Sequence, residues 1–124
     1  MGTVIPFRKE TTKASRHHPP APKRGKRQAK PVFFDRQEFS SLLALYSAEV
    51  ARGHWRDYAV DFLPGQALFS VYRHAHEAPV LTISKQVQAN GKGREYLLFA
   101  GPRRLARKET LAALTPHIQT AARP

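Results

Sequence analysis

Asp57 and Asp61 are the first carboxylates whose spacing invites a chemical reading. Residues 57–62 alternate as a strand does, which puts both acids on one face with Ala59 between them. Positions i and i+4 of a strand lie roughly 13 Å apart. Paired carboxyls that cleave a glycosidic bond stand only about 5–9.5 Å apart. Two ligands at that distance do not share a metal without a third, so pairing with nearby Arg or Lys is the expected role. His74 and His76, with Glu77 adjacent, form a His-x-His at a strand end, and neutral imidazoles with a carboxylate are zinc-ligand types. They are weak candidates, because no further ligand stands at a recognisable spacing and neither HExxH nor a Cys pair occurs; an exposed strand end is the expected reading. Ser70 and Ser84 fall within strands, and Ser40, Ser41 and Ser47 on a helix, so none has the strained turn of a hydrolase nucleophile. Gly91-Lys92-Gly93 joins two strands and lacks the spacing of a phosphate-binding loop. The chain has no cysteine. No cofactor, metal or enzymatic activity is therefore expected.

Charge is the stronger signal. The 124 residues carry 21 Lys and Arg against 9 Asp and Glu, a net charge of +12. Residues 1–31 hold nine of these cations and only Glu10 among the acids, together with five prolines. Apart from Met1, the only large apolar side chains before Val32 are Val4, Ile5 and Phe7. Such a segment buries too little apolar surface to offset its ordering entropy, so residues 1–31 are expected to form a disordered, Pro-rich basic tail. Its densest part, Lys23, Arg24, Lys26 and Arg27, puts four cations on five residues. A second group, Arg103, Arg104, Arg107 and Lys108, follows the expected fourth strand, and Lys92 and Arg94 stand where that strand begins. If the strand is seven residues long, the two groups mark its opposite ends, about 20–23 Å apart.

The elements that would position these groups form a single α+β domain over residues 32–121. Asp35 with Glu38 has the spacing of a capping box. Phe39, Leu42, Leu43, Tyr46 and Val50 then make one apolar stripe, which predicts a helix over about residues 36–52 closed by Gly53. Tyr58, Val60 and Phe62 alternate in a first strand, and Ala67, Phe69 and Val71 in a second, joined across Pro64-Gly65 by a type II turn or a slightly longer loop. Leu81 and Ile83 point inward from a third strand over 80–87. Asn90-Gly91 marks a hairpin to a fourth over 94–100. A last helix is expected from Lys108 or Thr110 toward Ala121, kinked or split at Pro116. The expected fold is thus a four-stranded antiparallel meander flanked by an N-terminal and a C-terminal helix. No apolar run is long enough for a membrane span, and no signal-peptide core stands near Met1.

The residues Phe34-Asp35-Arg36, Leu42 to Tyr46, Trp55-Arg56-Asp57-Tyr58-Ala59-Val60-Asp61-Phe62, Phe69 to Arg73 and Glu77-Ala78-Pro79-Val80 resemble a family of small alphaproteobacterial proteins, domain of unknown function 2794. The resemblance covers about residues 33–118 and leaves out the basic tail. It brings no activity, cofactor or catalytic residue, and it implies a bacterial cytoplasmic protein.

Two functional readings follow. In the first, the tail and the basic turn contact nucleic-acid phosphates by counterion release, with little sequence preference. Aromatic base-stacking needs rings exposed on the sheet, and Tyr58, Phe62 and Phe69 are expected on the buried face, with Tyr72 and one of Tyr96 or Phe99 outward. In the second, the domain is an adaptor that docks an unidentified protein through Leu63, Leu68 and Leu97, and the tail is a solvated tether. Anionic lipid or an acidic protein would attract the same tail by the same Coulomb force. The oligomeric state is not readable.

Overall fold

The computed structural model describes residues 30–74 and 77–123. Helix α1, Arg36–Ala51, precedes strands β1, Asp57–Leu63, β2, Gln66–Tyr72, β3, Leu81–Val87, β4, Arg94–Ala100, and β5, Arg103–Lys108; helix α2, Leu111–Ala122, closes the order. The five strands form one sheet in sequence order, every neighbouring pair antiparallel. This corrects the expected four strands to five. Gly101-Pro102 is a hairpin turn between β4 and β5 rather than a linker to the last helix, with Gly101 at φ +62°.

The helix start is built as its sequence dictates. Asp35 accepts from the Glu38 amide at 2.8 Å, and the Glu38 carboxylate accepts from the Asp35 amide at 2.9 Å, the reciprocal capping box. Pro64-Gly65 is a two-residue connection between Leu63 and Gln66, with Gly65 at φ +82°, the conformation that a type II turn requires at its third position. That tight turn sets the register: Tyr58 faces Val71, Val60 faces Phe69 and Phe62 faces Ala67. One apolar set therefore lies on one side of the sheet. Helix α2 begins at the Thr110 cap and runs through Pro116 as a single helix, so the expected split does not occur. Proline removes its own amide from the ladder and crowds the carbonyl four residues back, yet the helix continues on both sides of it.

Both helices cover the same face. Leu42 of α1 and Leu111, Leu114, Ile118 and Ala122 of α2 pack with Phe69, Val71, Leu81, Ile83 and Leu98. The aromatic contacts run from helix to sheet, with Phe39 edge-on to Phe69 and Tyr46 edge-on to Tyr58 at 4.9 Å between ring centres. Val32 and Phe34, ahead of α1, enter the same core. Contacts to the β1–β2 turn begin earlier still. Pro31 bridges to Pro64, and the Gly65 amide donates to the Lys30 carbonyl at 3.2 Å, anchoring the start of the domain beside the β1–β2 turn.

Candidate functional site

The basic groups converge more than their sequence positions suggest, because β5 returns alongside β4. Lys108 pairs with Tyr96 and Arg107 with Leu97, while Arg104 pairs with Phe99 and Arg103 with Ala100. Lys108 and Arg107 thus stand about 7 and 10 Å along the strand direction from Arg94, at the end where Lys92 lies in the β3–β4 hairpin. The expectation that the two groups occupy opposite ends of a strand is corrected: only Arg103 and Arg104 lie at the far end. The register divides the β5 cations between both sides of the sheet. Arg104 and Arg107 share the side of Phe99 and Leu97; Arg103 and Lys108 share the side of Ala100 and Tyr96.

A bulge sharpens the edge. Opposite Leu98 and Phe99, β5 carries one additional residue, Leu105, between Arg104 and Ala106, so its side chain is left half-exposed without a ladder position. Arg107 Nε donates to Glu95 Oε1 at 2.6 Å. Among the described residues no ion pair involves Lys92, Arg94, Arg103, Arg104 or Lys108. Charged side chains on an outer strand also block edge-to-edge association, a structural use of the same residues. Lys23, Arg24, Lys26 and Arg27 lie outside the described residues.

Three acids line a groove on the helix side of the molecule. The groove is open, has a volume of about 800 Å³ and runs between the two helices, lined by Asp35, Glu38, Glu109, Ser41, Tyr96 and Thr115 among others. Of these, Glu38 is held from the sheet: Lys85 Nζ donates to Glu38 Oε1 at 2.6 Å and to the Phe33 carbonyl at 2.9 Å. The Tyr96 hydroxyl donates to Glu38 Oε2. Burial, reinforced by that bond to an anion, raises the Tyr96 phenol above its ordinary range. The Glu38 carboxylate is thus held by a helix amide, an ammonium and a phenol, which tethers the start of α1 to the middle of the sheet. Sequence reasoning saw Glu38 only as half of a capping box. The available signal was Lys85, two positions beyond Leu81 and Ile83 in a period-two series, and so inward in need of an anion. Thr115 Oγ1 donates to its own helix at the Leu111 carbonyl.

Asp57 and Asp61 take the positions expected of them, opposite Tyr72 and Leu68 on the face away from the helices. Asp57 Oδ1 accepts from the Tyr58 amide, and Asp61 is buried. His74 is exposed; His76 lies outside the described residues. Among the described residues, no three His, Asp or Glu side chains gather as metal ligands would. His54 has a partner that its sequence position did not reveal: Nδ1 stands 2.6 Å from Glu49 Oε1, and Arg52 holds the other oxygen at 3.0 Å. No helix among the described residues is long and apolar enough to cross a membrane. The aromatic expectations hold for Phe69, which is buried, and for Tyr58, which packs against the core, and fail for the others. Phe62 is exposed, against an equally exposed Phe33 at 5.1 Å, while Tyr72, Tyr96 and Phe99 are buried. Leu68 and Leu97 are buried as well and Leu63 is half-buried, so the apolar patch expected of an adaptor is not on the surface.

No curated protein and no solved structure matches the chain. A family model does, described as "Protein of unknown function (DUF2794)", over residues 32–111. That span takes in α1, the whole sheet and the first residue of α2, well over half of the sequence, and the chain belongs to this family.

Proposed function

We propose that the protein is a non-catalytic basic module of the bacterial cytoplasm, contacting nucleic-acid phosphates with little sequence preference. The observation that carries the reading is the return of β5 alongside β4, which sets Arg103, Arg104, Arg107 and Lys108 on the outer strand, on both sides of the sheet, with Arg94 on β4 and Lys92 in the preceding turn. A six-residue strand is about 20 Å long, and each strand of duplex DNA presents a phosphate every ~3.4 Å along the axis. Several phosphates therefore fall within reach of the hairpin. Lys23, Arg24, Lys26 and Arg27 precede the anchored Lys30 by three to seven residues, and they supply a second contact on a short tether. Weak sequence preference follows from the aromatics. Tyr72, Tyr96 and Phe99 are buried, and among the described rings of the sheet Phe62 alone is exposed, too little for a platform of successive stacked bases.

The test is a titration of the full chain against a labelled duplex of arbitrary sequence at 50 and 200 mM salt. Binding by six or more phosphate contacts weakens about a thousandfold or more between these conditions. No measurable affinity at the lower salt overturns the reading. A protein that co-purifies with the full chain after nuclease treatment would instead favour the adaptor.

A further inference from the structure

Asn90-Gly91 serves the fold as a turn, but the pair also has a chemistry of its own. Asn90 is the only asparagine in the chain. With Gly91 it stands exposed in the connection between β3 and β4. Asn90 Oδ1 accepts from the Lys92 amide at 2.9 Å, which holds the side-chain carbonyl against the backbone that follows it. Its Nδ2 has no partner among the described residues. Gly91 has φ +78°, and a side chain at that position would meet no atom within 4 Å, so the space beside its backbone is open. One bond holds the Gly91 amide, to the Gln88 carbonyl at 2.8 Å. Lys92 and Arg94 flank the pair and make no ion pair among the described residues.

We propose that Asn90 is a site of spontaneous covalent modification, losing its side-chain amide through a cyclic imide formed with Gly91. The Gly91 nitrogen gives its proton to hydroxide and attacks Asn90 Cγ. The new N–Cγ bond closes a five-membered ring, the Cγ–Nδ2 bond breaks, and ammonia leaves. Water then opens the imide. Cleavage of the N–Cγ bond yields aspartate, and cleavage at the main-chain carbonyl yields isoaspartate, so the balance is one water consumed and one ammonia released. The turn supplies what each step needs. Glycine leaves the attacking nitrogen unshielded, and the neighbouring cations favour its anionic form. The Lys92 amide already donates to the oxygen on which negative charge develops during the attack. The leaving amide is free in water. Gln88, the nearest other carboxamide, lacks this arrangement: Ala89 follows it, and its Nε2 is tied to the Arg94 carbonyl at 3.1 Å. Against the reaction stands only the exposed Gly91–Gln88 bond, a kind that opens locally. The product carries a new carboxylate beside Lys92 and Arg94. In its isoaspartyl form it also lengthens the main chain inside a turn that the Gln88 amide closes on the Gly93 carbonyl at 2.8 Å. The inference stands whether or not nucleic acid is the ligand.

The test follows the folded full chain during incubation at pH 7 and pH 8. Trypsin cuts after Lys85 and Lys92 and so releases residues 86–92 as one peptide for mass spectrometry. A synthetic peptide of the same sequence, kept in the same buffers, serves as the clock. Conversion of Asn90 to acid is expected in two chromatographically separate forms, aspartyl and isoaspartyl. Opening one exposed hydrogen bond makes the folded chain slower than the free peptide by no more than about tenfold. Both should convert about tenfold faster at pH 8 than at pH 7, because the attacking species is the amide anion. The Asn90→Ser chain is expected to give an unchanged peptide over the same period. A folded chain still intact at residue 90 after a time ten times that in which the free peptide has fully converted overturns the proposal. So does aspartate formed without isoaspartate, which would assign the loss to direct hydrolysis of the side chain. The same amide-to-acid change in the Asn90→Ser peptide, placing the reaction at a glutamine, overturns it as well.

Discussion

Replacing Lys85 by methionine keeps the straight aliphatic stem and deletes the ammonium that Glu38 holds at 2.6 Å. The ion pair is nearly dry, with side-chain exposures of 10% for Lys85 and 14% for Glu38. At an effective dielectric near 20, two unit charges at that separation attract by roughly 6 kcal/mol, most of which offsets their desolvation. Breaking such a pair from one side costs about 3–5 kcal/mol, because the remaining charge is stranded. Glu38 keeps the Asp35 amide and the Tyr96 hydroxyl, which places the expected loss at the low end, about 3 kcal/mol. For a domain of this size that is a fall of about 12–24 °C in Tm. Urea unfolding followed by far-UV circular dichroism reads the change as a shift in midpoint at constant slope. The double variant Lys85→Met with Glu38→Leu is expected to lose less than the sum of the two single variants by at least about 1.5 kcal/mol, since neither charge is then stranded. A loss under about 1 kcal/mol for Lys85→Met, or strict additivity in the double variant, refutes the argument that this pair ties α1 to the sheet.

Other perturbations follow from the same geometry. Tyr96 is held protonated in the native state above its unfolded value of 10.0, mainly by burial and next by its bond to Glu38. Its contribution is complete below pH 10 and is lost as pH rises toward the native pKa, because the unfolded chain releases the proton first. Stability should fall above pH 10 by up to about 1.4 kcal/mol per pH unit from this group, and Tyr96→Phe should flatten that slope in alkaline urea titrations. Asp35→Ala removes the acceptor of the Glu38 amide and should cost about 1 kcal/mol in the same assay. Gly101→Ala meets no atom within 4 Å, so its cost comes from the backbone at φ +62° alone, about 1–2 kcal/mol. Hydrogen exchange should show that loss first in the β4–β5 hairpin.

The β1–β2 register was legible down to the residue pair, because strict alternation on both sides of a two-residue turn leaves only one way to bring the apolar sets together. The first helix was legible through its cap and stripe. Strand β5 was not. Arg103-Arg104-Leu105-Ala106-Arg107-Lys108 has no alternating apolar set, since an outer strand is held by backbone bonds to β4 and a bulge breaks what period remains. The convergence of the basic groups was hidden for the same reason: without a returning strand, Arg94 and Arg107 belong to separate ends. Burial of the sheet face away from the helices left no trace either. Gln66, Ser70, Thr82, Ser84 and Gln86 are the residue types of a solvated surface, and only their mutual hydrogen bonds disclose an interior. The His54–Glu49 pair depends on how the chain folds back after α1, which spacing does not encode.

The basic margin of the sheet is tested most directly by the salt dependence of duplex binding in the full chain, compared with a variant carrying Arg94→Gln, Arg103→Gln, Arg104→Gln and Lys108→Gln. Each phosphate contact contributes about −0.9 to the slope of log K against log salt, so the variant should be shallower by up to about 3.6. Equal slopes in the two proteins, or no binding by either, would contradict the assignment of this edge to polyanion contact.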